Sequence, residues 1–121
     1  MRETVRTALL SIVTALVMIG GATVATADPN HCDHGEFCLW GETYFGGEAL
    51  RLSLSSVNAG ECVPLPPTLD GRSLVNLMNK HVTVYQSREC ATEGEFDTYP
   101  GGGTYVPAAP FVVRAIQIYA P

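Results

Sequence analysis

Four cysteines, Cys32, Cys38, Cys62 and Cys90, follow an N-terminus that reads as an export leader. An even cysteine number in a small exported chain reads as a disulfide framework, and two cross-links restrict such a chain more than any other feature of its sequence. Four cysteines allow three pairings. The spacing favours Cys32–Cys38, which bracket the turn formers Asp33 and Gly35, and so Cys62–Cys90. Loop-closure entropy assigns these bonds roughly 2 and 3–4 kcal/mol. A core this small needs such support.

The export reading rests on residues 1–27. Arg2 and Arg6 come first, then an apolar stretch over 8–19, then Ala25-Thr26-Ala27. A cationic start, a short apolar middle and an Ala-x-Ala end form a cleaved secretory signal. The middle is too short, and too broken by Gly20-Gly21, for a membrane span. Cleavage after Ala27 is expected, leaving 28–121 as one secreted domain free of the membrane. That part holds five basic and eleven acidic residues, with Lys80 its only lysine. So acidic a chain cannot neutralise phosphates in number, which makes nucleic acid and anionic lipid poor partners. It is also too small for a two-domain enzyme.

The mature part reads as β structure. All eight prolines and ten of the twelve glycines fall within it, a turn-rich composition. Strands are predicted over 36–40, 49–55, 81–86 and 114–119, where residues alternate between two faces over short runs, and over 73–78, which is more fully apolar. In the second of these Leu50, Leu52 and Leu54 would share a face. Turns are predicted at Gly46-Gly47, at 58–60, over 64–71 and at 100–103, the last opening a flexible stretch that reaches Pro110. No segment reads as a helix. The expected fold is an all-β sandwich of antiparallel strands.

The chain also repeats itself. Trp40 is followed by Phe45 and Gly47, and Tyr85 by Cys90 at the same distance as Phe45 from Trp40. Arg72-Ser73-Leu74 and Arg114-Ala115-Ile116 close the two halves, with Trp40 and Tyr85 45 residues apart and Arg72 and Arg114 42 apart. Two copies of one β motif, each with an apolar face, would bury those faces by stacking.

Phe37-Cys38-Leu39-Trp40 followed by Tyr44-Phe45-Gly46-Gly47 resembles the opening of a βγ-crystallin-type Greek key. The Cys32–Cys38 spacing ahead of it, the mid-chain Cys62, and Val82-Thr83-Val84-Tyr85 leading to Cys90 narrow the likeness. Together they are similar to the streptomycete metalloproteinase-inhibitor family of small exported actinobacterial proteins. The resemblance covers nearly all of residues 35–119. It implies a βγ-crystallin-like Greek-key sandwich built from two diverged motifs and stabilised by disulfides. Gly47 would then supply a positive φ or a close approach beneath an aromatic ring. Trp40 and Phe45 would cover the hairpin, an aromatic pair contributing about 0.5–1.5 kcal/mol beyond area burial. Tyr85 and Cys90 would repeat this arrangement, with a disulfide in place of aromatic packing. Many microbial βγ-crystallin domains bind calcium, but the matching segments here, 69–73 and 111–115, hold one carboxylate, Asp70, beside Arg72. A hard divalent cation wants six to eight oxygens, so no tight calcium site is expected.

Other chemistry is weakly represented. His31, Cys32, His34 and Cys38 could be drawn as a zinc cluster, but the spacing fits no familiar finger and an exported chain oxidises its thiols. A disulfide flanked by exposed histidines is the expectation, with no metal and no cofactor. Glu89, Glu93, Glu95 and Asp97 read as a solvated acidic loop. There is no Gly-x-Ser-x-Gly and no His-Glu-x-x-His, and the histidines lie only at 31, 34 and 81. The chain does not read as an enzyme.

Inhibition needs no catalytic residues, only a substrate-like segment held so that cleavage is slow. The family resemblance therefore implies an extracellular protease as partner, with a metalloprotease favoured. Thermolysin-like enzymes prefer a large apolar residue just after the scissile bond. Cys62-Val63 supplies that residue next to an anchored cysteine and is the expected reactive site, although Pro64 restricts access. Tyr105-Val106 or Thr104-Tyr105, in the 100–110 stretch, is the competing site, more exposed but less restrained. The alternative is a non-inhibitory βγ-crystallin-like extracellular binding, stress or toxin-like module, since one scaffold carries many functions. Nothing in the pattern requires a dimer, and a monomer is expected.

Overall fold

Alternation builds the molecule. In the computed structural model, which describes residues 31–121, the chain forms β1 (Phe37–Trp40), β2 (Leu50–Leu52), β3 (Cys62–Pro64), β4 (Ser73–Asn76), β5 (Val82–Tyr85), β6 (Phe96–Tyr99), β7 (Thr104–Val106) and β8 (Ala115–Ile118). A single 3₁₀ turn, Thr43–Phe45, lies between β1 and β2. The signal expected over 1–27 lies outside the described residues. Among the described residues no helix is long and apolar enough to cross a membrane.

The strands form two antiparallel four-stranded sheets, ordered β2-β1-β4-β7 and β3-β8-β5-β6. Each half of the chain therefore gives three strands to one sheet and its third strand to the other. The registers repeat as well. Trp40 stands opposite Ser73 and Phe37 opposite Asn76, while Tyr85 stands opposite Ala115 and Val82 opposite Ile118. The halves meet at Gly71 and Val113, which exchange backbone hydrogen bonds of 2.8 and 2.9 Å. A Cβ on Gly71 would lie 3.0 Å from Leu39 Cδ2 and 3.1 Å from Val113 Cβ, so glycine allows this approach.

Period two sorts the side chains. Phe37, Leu39, Leu74, Val82, Val84, Ile116 and Ile118 are buried between the sheets. On the outer face of the first sheet, Cys38, Trp40 and Val75 form a second apolar cluster beneath Cys32 and Phe45. Among the described residues two polar side chains are fully buried, Ser73 and Asn76, and both are satisfied. The Ser73 hydroxyl donates to the Glu42 carbonyl at 2.6 Å and accepts from Phe45 N–H at 3.0 Å. Asn76 donates to the Lys80 and Tyr99 carbonyls and accepts from Met78 N–H.

Several sequence expectations need correction. The predicted strands exist but are trimmed, most of all 49–55, which ends at Leu52 because Ser53–Ser56 closes a turn through Ser56 N–H to Ser53 O at 2.9 Å. Leu54 is consequently exposed rather than aligned with Leu50 and Leu52. The turn predicted over 64–71 begins later, since Pro64 ends β3. Proline is admissible there because β3 is an outer strand. The acidic loop becomes strand from Phe96 onward, paired with β5. The flexible stretch over 100–110 contains β7, hydrogen-bonded to β4 from Thr104 to Val106.

Candidate functional site

Residues 60–65 are fixed from both ends and from the side. Gly60, with φ +84°, starts the segment, and its N–H donates to the Ile118 carbonyl at 2.8 Å. β3 then runs antiparallel to β8, with Cys62 opposite Gln117 and Val63 opposite Ile116. At the far end Leu65 N–H reaches the Arg114 carbonyl at 2.9 Å, and the Leu65 carbonyl accepts from Arg88 Nη1 at 2.6 Å. Cys62 is bonded to Cys90, 28 positions on in the chain. A covalent tie and a ladder of backbone bonds thus hold one extended segment at the rim of a sheet. Cys62 and Pro64 face solvent, while Val63 is half-buried against the central core.

Cys90 is itself held in the left-handed region, at φ +57°. Phe45 occupies the matching place in the first half, at φ +61°, and Tyr44 before it has φ +56°. Phe45 packs edge-on against Trp40, ring centroids 5.2 Å apart, as the aromatic motif implies. Gly47 has φ +87°, the freedom expected of it. Tyr85 is buried and stacks on Phe96 at 6.0 Å.

The competing segment lies on the other sheet. Tyr105 stands opposite Val75 and Val106 opposite Leu74 in β7, an outer strand. Tyr105 is 61% exposed and meets Phe45 edge-on at 6.4 Å. Tyr44 N–H donates to the Pro107 carbonyl at 2.7 Å, tying the 3₁₀ turn to the end of β7. Sequence reading missed what relates the two segments. Gly60-Glu61-Cys62-Val63-Pro64 and Gly103-Thr104-Tyr105-Val106-Pro107 share Gly-x-x-Val-Pro, 43 residues apart. The signal was present, but only the strand pairing shows that both copies occupy corresponding outer strands.

At the N-terminal end, Cys32 is bonded to Cys38. Glu36 lies beside both sulfurs, but a disulfide offers no thiolate to a metal, so the histidine–cysteine cluster is a cross-link. Glu36 instead accepts from Asp33 N–H at 2.8 Å and from Arg51 Nε at 2.9 Å. Hydrogen bonding from Arg51 holds the Glu36 carboxyl below its ordinary value of 4.5, against the opposing effect of burial. Arg51 also reaches Asp33 at 2.7 Å, and His31 contacts Asp33 in turn. Asp70 lies 3.5 Å from Arg114 and 4.0 Å from Arg72, a carboxylate engaged by two cations. His81 stands edge-on to Tyr119 at 6.1 Å, where two surface depressions of about 510 Å³ each meet.

No curated protein and no solved structure matches the chain. A family model does, over residues 25–97, which include both disulfides and all of β3. The match covers more than half of the sequence and describes inhibitors rather than enzymes: the chain belongs to peptidase inhibitor family I36, the streptomycete metalloproteinase inhibitor family.

Proposed function

We propose that this protein is a secreted, monomeric inhibitor of metalloproteases that offers Cys62-Val63 to the enzyme as a tethered, pre-extended strand. The observation that carries the reading is the clamp on β3. Backbone bonds at Gly60 and Leu65 and the Cys62–Cys90 bond act on one short outer strand. Peptidases take up extended segments by strand addition, and an outer strand keeps one backbone edge free for that pairing. A segment already extended loses little conformational entropy on binding, so preorganisation becomes affinity. The same tether opposes departure of the new chain ends if the bond is cut.

Val63 is an apolar residue of the kind that a thermolysin-like enzyme prefers after the scissile bond. Its side chain is only half-buried, so part of its surface is already accessible to a subsite. Two disulfides suit an oxidising compartment, in keeping with a secretory signal over 1–27. The exchange of each half's third strand between sheets supports the βγ-crystallin-like Greek-key reading.

The test is a titration of thermolysin with the protein lacking residues 1–27. Stoichiometric loss of activity is expected, with the Cys62–Val63 peptide bond the one cut on long incubation, read by mass spectrometry. Val63→Asp should abolish inhibition. Val106→Asp, at the corresponding position of β7, carries a similar packing cost and should leave thermolysin inhibition intact. Unchanged potency of a folded Val63→Asp protein would exclude this segment. Absence of inhibition by the unaltered protein would favour a non-inhibitory extracellular binding module.

A further inference from the structure

We propose that β7 is a second peptidase-binding strand, making the molecule double-headed, and that its partner is a serine peptidase whose primary pocket takes a large aromatic side chain. The inference rests on the reading of β3 as the first such strand, and it lies outside the family match, which ends at residue 97.

Internal repetition carries it. The two Gly-x-x-Val-Pro segments correspond in opening turn, entering hydrogen bond, strand pairing and exposure, while the closing bond moves by one residue, from Leu65 N–H on Arg114 O at 2.9 Å to Ala109 N–H on Arg72 O at 2.8 Å. Gly60 and Gly103 both have positive φ, +84° and +117°. Gly60 N–H donates to Ile118 O at 2.8 Å, and Gly103 N–H donates to Asn76 O at 3.0 Å, the matching residue of the other half. Cys62-Val63 pairs with Gln117-Ile116, and Tyr105-Val106 pairs with Val75-Leu74. Both segments run exposed, half-buried, exposed: Cys62-Val63-Pro64 and Tyr105-Val106-Pro107. Each is an outer strand of its sheet, and the two belong to different sheets.

The restraint is also duplicated, in different chemistry. β3 is tied to its hairpin by Cys62–Cys90. β7 is tied by the Tyr105–Phe45 contact at 6.4 Å and by Tyr44 N–H on Pro107 O at 2.7 Å. These contacts hold two consecutive non-glycine residues, Tyr44 and Phe45, in the left-handed region, strain that persists only where the surroundings impose it.

The partner follows from the residue that differs. Where β3 carries a half-cystine, with no side chain free to enter a pocket, β7 carries Tyr105, 61% exposed on a restrained backbone. An aromatic side chain just before the strand's valine is what a chymotrypsin-type pocket accepts, and Tyr is among the residues that anchor interfaces most strongly.

The experiment titrates bovine chymotrypsin with the disulfide-intact protein, alone and after saturation with thermolysin. Stoichiometric inhibition of both enzymes and a 1:1:1 complex by size-exclusion chromatography are expected. Tyr105→Ala should weaken chymotrypsin inhibition by about 30-fold or more and leave thermolysin inhibition within about 2-fold. Tyr105→Lys should transfer inhibition from chymotrypsin to trypsin, an outcome that loss of packing on Phe45 cannot mimic. Inhibition of thermolysin without inhibition of chymotrypsin would overturn the double-headed proposal and leave the β3 reading standing. Inhibition of chymotrypsin alone would uphold β7 as a binding strand and remove β3 as one. Inhibition of neither would overturn both.

Discussion

Cys90 holds in the second half the place that Phe45 holds in the first. They stand 45 residues apart with φ +57° and +61°, and each ties its hairpin to the strand crossing over from the opposite half. Phe45 does this through its contact with Tyr105, and Cys90 through its bond to Cys62. A left-handed conformation costs a non-glycine residue about 1–2 kcal/mol. Each tie must exceed that cost, and the covalent one does so by the wider margin.

Replacing the bond therefore has a large expected effect. Cys62→Ala combined with Cys90→Ala, opening a loop with sequence separation 28, should lower stability by about 3–4 kcal/mol. Cys32→Ala with Cys38→Ala, separation 6, should lower it by about 2 kcal/mol. Urea denaturation at neutral pH measures both. Equal losses would show that loop length is not what sets the contribution of these bonds.

Tyr44 offers the opposite sign. The residue is 75% exposed, so truncation sacrifices little burial. Tyr44→Gly removes about 1–2 kcal/mol of left-handed cost and adds about 0.5–1 kcal/mol of backbone entropy in the unfolded chain. A net gain of up to about 1.5 kcal/mol is expected, visible as a higher melting temperature. A lower one would mean that the ring's surface contacts outweigh the backbone strain.

Alternation made the inner strands and the outer strand β2 legible and left the other outer strands unread. β1, β4, β5 and β8 bury long side chains on the inner face, and burial imposes period two on sequence. β3, β6 and β7 are outer strands of three or four residues, where one flank is solvent and polar residues or proline are tolerated. Their sequences, Cys-Val-Pro, Phe-Asp-Thr-Tyr and Thr-Tyr-Val, resemble loops because nothing there demands otherwise. Both disulfide pairs followed from spacing and turn chemistry. The correspondence of Val63 with Val106 did not, because it is a relation between sheets and is carried by only a few shared residues.

Gly71 tests the junction of the two halves. A methyl group there would sit 3.0 Å from Leu39 Cδ2, 3.1 Å from Val113 Cβ and 3.2 Å from the Val113 carbonyl. The side chains could shift by a few tenths of an ångström, but the carbonyl is fixed by the bonds that Gly71 and Val113 exchange. Gly71→Ala should destabilise by about 1–3 kcal/mol, the range for overpacking a tight interior. Gly102→Ala, which meets nothing within 4 Å, controls for clash, although its φ of +89° brings backbone strain of its own. If Gly71→Ala unfolds at the same urea concentration as the unaltered protein, the halves are not in tight contact at this point.

Glu36 sets a pH limit on the N-terminal cross-link region. Its carboxylate joins Asp33 N–H to the Arg51 guanidinium, and the bond from Arg51 lowers its pKa below 4.5 in the folded protein. A carboxyl with a depressed folded pKa adds stability that is fully present above the unfolded pKa and fades as pH falls through the folded one. Stability should accordingly hold through neutral pH and decline below about 4.5. Glu36→Gln should lower stability at pH 7 and flatten this acid decline, so that the variant and the unaltered protein converge as pH falls below the folded pKa of Glu36. Denaturation midpoints measured from pH 2 to 7 decide it. A constant gap across that range would mean that Glu36 contributes through packing and neutral hydrogen bonds, with its charge playing no part.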